Sequence, residues 1–166
     1  MNRILHCTLA AMAVVAAAVL GDLANRLPSL ALINESPSLP RGLYLRDPED
    51  RLRPGSIVAV RQPRSAQPYL GSLGMPGNTL LLKRVAAVGG ERVCASGGIL
   101  ETPRRKVKAL ATDRRGAGLA SWSGCRPLED DEVVLLGDTP SSFDSRYFGP
   151  VSRGQITGVY LKVMTW

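Results

Sequence analysis

Three short segments concentrate side chains that can attack a carbonyl or carry a proton. The first, residues 34–44, reads Asn-Glu-Ser-Pro-Ser-Leu-Pro-Arg-Gly-Leu-Tyr and sets Ser36 and Ser38 among prolines. Proline locks φ, so backbone N–H groups and hydroxyls in such a stretch are held in place. The same composition also reads as a solvated linker. The second segment is Leu-Leu-Leu-Lys-Arg-Val at 80–85. On a strand, Lys83 shares a face with Leu81 and Val85, and Arg84 shares the other with Leu80, Leu82 and Ala86. Either one of these cations lies against apolar surface, or both snorkel outward from an edge strand. A buried lysine becomes a base near neutral pH once its pKa falls from ~10.4 to near 7, which takes about 4 kcal/mol of differential desolvation. Arginine effectively cannot do this. The third segment, residues 137–150, reads Gly-Asp-Thr-Pro-Ser-Ser-Phe-Asp-Ser-Arg-Tyr-Phe-Gly-Pro. Asp144 and Arg146 are spaced to pair, and Ser142 supplies a hydroxyl. Taken bare, it is equally a rigid structural loop.

The histidine count narrows the chemistry. The chain has 166 residues and one histidine, His6, which lies inside its only long apolar run. A Ser-His-Asp or Cys-His site therefore has no imidazole to use, and a zinc site built from several histidines is excluded. Any hydrolase here must move its proton with another group. The apolar run spans 4–20, with Arg3 before it and Asp22 after it. Seventeen helical residues reach roughly 25 Å, slightly short of a ~30 Å hydrocarbon core. Two readings stay open: an uncleaved anchor, or a secretory signal segment with a basic start and a small-residue site at 16–18. Both export the chain from about residue 25 onward, giving an anchor or signal segment over 1–25 and one domain over 26–166. Cys7 falls in the apolar run. Cys94 and Cys125 remain as a pair, either disulfide-bonded or as two free thiols. A bond would close a loop of about 32 residues and stabilise the fold by about 3–4 kcal/mol on the chain-entropy model.

The elements that must position these groups read as strands. Candidates are 42–46, 56–61, 79–88, 91–95, 98–101, 106–110, 132–136 and 155–166, separated by glycine- and proline-rich turns. Gly89-Gly90 looks like a hairpin connection, and 62–78 and 111–130 look like loops. No amphipathic stretch of helical length stands out after residue 25, so the body is expected to be all-β. The net charge of +7 suits an anionic partner such as lipid headgroups, or simply a basic surface. Aromatic residues are only 5% and basic runs are short, so nucleic-acid binding is not expected.

In this order, behind an N-terminal apolar segment, the three segments resemble the type I signal peptidase family. Ser38-Leu39-Pro40 resembles its nucleophile box and Leu82-Lys83-Arg84-Val85 its general-base box. Gly137-Asp138 with 142–149 resembles its C-terminal box. The compact form Ser38 to Tyr44 is similar to the conjugative-transfer, TraF-like branch, whose members process pilin precursors and in some cases join the ends into a circle. Two departures from general signal peptidases stand out. Leu39 is followed directly by Pro40, with one residue fewer than usual, and Thr139 stands where asparagine is common. The resemblance implies an all-β signal-peptidase-like domain behind one membrane helix. It implies a serine endopeptidase on the periplasmic side of the inner membrane, next to lipid, acting without a cofactor or metal on exported, pilin-like precursors. Ser38 would be the nucleophile, Lys83 the base and Ser36 an oxyanion donor. Ser142 would orient the lysine, and Asp144 and Arg146 would form a supporting ion pair. The competing expectations are a general signal peptidase, a non-catalytic scaffold of an envelope secretion machine, and a self-cleaving repressor, against which the N-terminal segment counts because it reads as an apolar run and not as a DNA-binding helical domain.

Overall fold

A computed structural model describes residues 6, 8, 12–18 and 29–166. The chain is mostly β and forms two antiparallel sheets. The larger has seven strands in the order β1-β2-β11-β3-β4-β9-β10. These are β1 (Ala31–Asn34), β2 (Gly42–Arg46), β3 (Ile57–Val60), β4 (Leu81–Val88), β9 (Glu132–Leu136), β10 (Val151–Ser152) and β11 (Ile156–Thr165). The smaller sheet runs β7-β6-β5-β8, formed by β5 (Arg92–Ser96), β6 (Ile99–Glu101), β7 (Lys106–Lys108) and β8 (Gly124–Pro127).

The central strands are apolar on both sides, and their two-residue period divides the core. In β3, Val58 and Val60 enter one cluster with Leu81, Val85, Val133 and Leu135. Ile57 and Ala59 enter another with Leu39, Tyr44, Leu82 and Tyr160. In β9, Val134 and Leu136 turn to a third cluster, where Ala86 and Ala87 of β4 meet Val93, Ala95 and Leu100 of the small sheet. β4 is not an edge strand: β3 pairs along one side of it and β9 along the other.

Three expectations are corrected. Gly89-Gly90 does not close a hairpin, because β4 and β5 belong to different sheets. It is instead a tight crossing where a side chain on Gly89 would meet the Asp130 backbone at 2.7 Å. The two-residue hairpin lies one turn later, at Gly97-Gly98, where both φ values are positive (56° and 73°) and Ser96 faces Ile99 across the turn. Residues 62–78 are not all loop. They contain the helix α1 (Gln67–Ser72), which drives Leu70 into the core. The third correction concerns strands that were not expected. β1, β8 and β10 are four residues or fewer, and each is held by a longer partner.

Residues 12–18 are helical and exposed. Among the described residues no helix is long and apolar enough to cross a membrane. The rest of the expected anchor, Cys7 included, lies outside the described residues. Cys94 and Cys125 face each other directly across β5 and β8 and are joined in a disulfide.

Candidate active site

The turn between β1 and β2 carries the two serines. Asn34 and Gly42 close the β1–β2 ladder, and residues 35–41 arch over it. Ser38 is 5% exposed, and its hydroxyl lies 2.7 Å from that of Ser36. The arch is fixed at several points. Leu39 is buried, and the Tyr44 hydroxyl donates to the Pro40 carbonyl at 2.6 Å. The Ser38 carbonyl accepts the Asp138 N–H at 2.6 Å, which ties the first segment to the third. The sequence reading gave Asn34 no role. Yet its buried amide donates to the carbonyls of Ser36, Leu39 and Pro40 and accepts from the Ser36 N–H and hydroxyl. The available signal was an asparagine two residues before a serine in a proline-rich turn, the pattern of an Asx-turn.

Lys83 stands opposite Val58 in the middle of the large sheet, on the face it shares with Leu81 and Val85. It is 5% exposed and, among the described residues, forms no hydrogen bond or ion pair. Burial pushes its pKa down to about 8; the nearby Asp144 carboxylate pulls it up and Arg146 pushes it down again. Because Asp144 and Arg146 are themselves paired, their fields on Lys83 oppose each other, and desolvation prevails. Arg84 takes the other face, outward, where it grips Asp138 with two parallel bonds of 3.0 and 2.9 Å. The strand thus sorts its two cations, one paired at the surface and one desolvated inside.

The third segment braces this arrangement. Asp144, fully buried, caps the short helix α2 (Ser145–Phe148) and accepts the Gly137 N–H at 2.8 Å. Arg146 meets it through two bonds of 2.8 Å and donates further to the carbonyls of Lys108, Thr139, Pro140 and Ser142. Ser142 is 4% exposed, and among the described residues its Oγ has no hydrogen-bond partner. Gly137 is required here. A Cβ would fall on the Ser142 side chain and 2.9 Å from the Ser38 carbonyl.

Ser36, Ser38, Lys83 and Ser142 line a single cleft of about 640 Å³ with apolar walls that include Leu32 and Leu70. Asp144 and Arg146 stand behind it, and the Cys94–Cys125 bridge belongs to the other sheet. A second hollow of about 270 Å³ adjoins the cleft across Pro37, Ser141 and Phe143. Phe143 stacks on Tyr147 and leans on Tyr69, and the Tyr69 hydroxyl donates to Asp113 at 3.1 Å. Hydroxyls beside one unpaired, desolvated amine in an apolar cleft suit acyl transfer to a serine, with the amine as base.

The family model described as signal peptidase, peptidase S26, matches residues 3–166. The chain belongs to the S26 signal peptidase family. Relatives include a plasmid transfer protein TraF of Escherichia coli, 30% identical with both chains covered in full. A conjugal transfer protein TraF of Agrobacterium fabrum is 32% identical over 81% of this chain and 82% of the relative. These place this S26 protein in the TraF-like branch. Among solved structures, a signal peptidase I from Enterococcus faecalis is similar at a TM-score of 0.40 and 19% identity, over 66% of this chain and 96% of that one.

Proposed function

We propose that this protein is a membrane-bound serine endopeptidase with a Ser38/Lys83 dyad that matures an exported, pilin-like precursor for conjugal transfer. The observation that carries the reading is the unpaired, buried Lys83, with its pKa lowered to about 8, in the same cleft as Ser38. Neutral Lys83 takes the Ser38 proton as Oγ attacks the scissile carbonyl. The Ser38 N–H and the Ser36 hydroxyl hold the oxyanion, where one such donor supplies roughly 3–4 kcal/mol. Lys83 then returns the proton to the departing amine. Water, or the amino end of the same processed chain, attacks the acyl-enzyme. The first gives a linear product and the second a joined one. Ser142, whose unpartnered Oγ lines the same cleft, is the hydroxyl available to orient Lys83, and Asp144 with Arg146 holds the loop. The substrate lies extended in the cleft, adding to a strand edge as peptides commonly do. The TraF names of the relatives support the conjugative setting.

The N-terminal apolar segment holds the protein in the cytoplasmic membrane, with residues 26–166 on the periplasmic side. Exposed Ile33, Leu45, Leu161, Val163, Met164 and Trp166 on and beside β1, β2 and β11 support contact with lipid. The disulfide supports an oxidising compartment. The test is co-expression with candidate pilin precursors, read by product mass. Ser38→Ala and Lys83→Ala should each abolish cleavage while the protein stays in the membrane fraction; cleavage by either variant refutes the dyad. A product lighter than the linear one by one water indicates joined ends. Cleavage of many unrelated preproteins would instead favour a general signal peptidase.

A further inference from the structure

We propose that Asn34 is a positioning residue for this reaction, setting which way the protons point along the chain Asn34–Ser36–Ser38. The inference rests on the reading of Ser38 as nucleophile. The neighbours of Asn34 fix its amide orientation. Nδ2 lies 3.0 Å from the carbonyls of Ser36 and Leu39 and 3.1 Å from that of Pro40. An oxygen in that place would face three acceptors, so the nitrogen sits there and Oδ1 faces Ser36. Oδ1 accepts the Ser36 N–H at 3.2 Å and the Ser36 hydroxyl at 3.1 Å. A serine hydroxyl has one proton to give. With that proton on Asn34, the 2.7 Å contact between Ser36 and Ser38 must have Ser38 as its donor. The resting nucleophile therefore aims its proton at Ser36.

Attack reverses the chain. The Ser38 proton passes to Lys83 as the bond from Oγ to the acyl carbon forms, and the substrate carbonyl oxygen takes up the negative charge. Ser36 loses its incoming donor at that moment. Its own proton can then leave a neutral amide oxygen for an oxyanion, which is the stronger acceptor. Asn34 Oδ1 keeps the Ser36 N–H, so no buried acceptor is left empty during the swing. Asn34 neither gains nor loses a proton. It holds the Ser36 proton in reserve until charge develops.

The test is a double-mutant cycle with Ser36→Ala, using a precursor-derived peptide that the wild-type protein cleaves. Asn34→Ala should lower kcat by about ten- to a hundredfold with KM little changed. In the Ser36→Ala background the same substitution should cost only about threefold, because the hydroxyl it acts through is already gone. Equal losses in both backgrounds would overturn the proposal and leave Asn34 as scaffold for the turn. Thermal melting checks that each variant folds. If Asn34→Ala does not fold, Asn34→Ser, whose shorter side chain leaves the Ser36 hydroxyl without its amide acceptor, takes its place in the cycle, and the same inequality or equality decides. Cleavage by Ser38→Ala, run alongside, would overturn the reading of the site itself and this inference with it.

Discussion

Lys83 and Arg84 are adjacent cations with opposite fates, and the difference is worth several kilocalories. Burial lowers the Lys83 pKa from 10.5 to about 8 in the folded chain. Between those values the unfolded chain binds the proton more tightly, so stability should rise as pH climbs from about 8 to 10.5. Below pH 8 the fold carries the full cost of a buried ammonium, roughly 3 kcal/mol. Lys83→Met should therefore stabilise the protein at pH 7 by up to about that amount and abolish the rise between pH 8 and 10.5. Denaturant melts of both proteins at pH 7 and 10.5 check this; an unchanged pH dependence would contradict it. The same titration predicts that kcat/KM climbs about tenfold per pH unit below pH 8 and levels off above it, since only neutral Lys83 accepts a proton. The sequence alone could say that a lysine in this pattern is able to lose its charge. It could not say which of the two cations would be desolvated, because both faces of the strand are apolar.

At the scale of elements, the site depends on β4 having partners on both sides and on the 137–149 loop bracing it from behind. Arg146→Ala would strand the fully buried Asp144 and free four carbonyls, with an expected loss of about 3–5 kcal/mol. Arg146→Lys should rescue little of it, since an ammonium cannot reproduce the two-pronged bond to Asp144. Chemical denaturation measures both variants, and a wild-type melt for Arg146→Ala would refute the bracing role. Gly137→Ala should cut cleavage sharply, because the new methyl displaces the Ser142 side chain and presses on the Ser38 carbonyl. Activity beside a far-ultraviolet spectrum like that of the wild type separates this local effect from unfolding. Gly42–Arg46 and Glu132–Leu136 were legible to the residue, because their apolar patterns are bounded by turn signals. Helix α1 was not. Gln-Pro-Tyr-Leu-Gly-Ser has little helical propensity, and it is helical because Leu70 docks against Val58 and Leu81.

For the whole molecule, the two sheets divide the work. The large sheet holds every residue assigned to the chemistry on its strands or connecting turns, while the small sheet packs on its far side and carries the Cys94–Cys125 bridge. Replacing both cysteines by serine should lower stability by about 3–4 kcal/mol and leave kcat/KM unchanged at temperatures where the variant is folded. Denaturant midpoints and peptide cleavage read the two effects separately, and a parallel loss of activity would mean that the small sheet also shapes the cleft. The sequence by itself determined the β character, the absence of a usable histidine and the three segments that carry the chemistry. Those follow from residue type and local period, which are written in neighbouring positions. Only the tertiary structure decided that Lys83 rather than Arg84 is the desolvated cation, that Asn34 locks the serine turn, and that β4 lies inside the sheet. These depend on strands brought together from the two ends of the domain, with β11 set between β2 and β3, and no local pattern records that pairing.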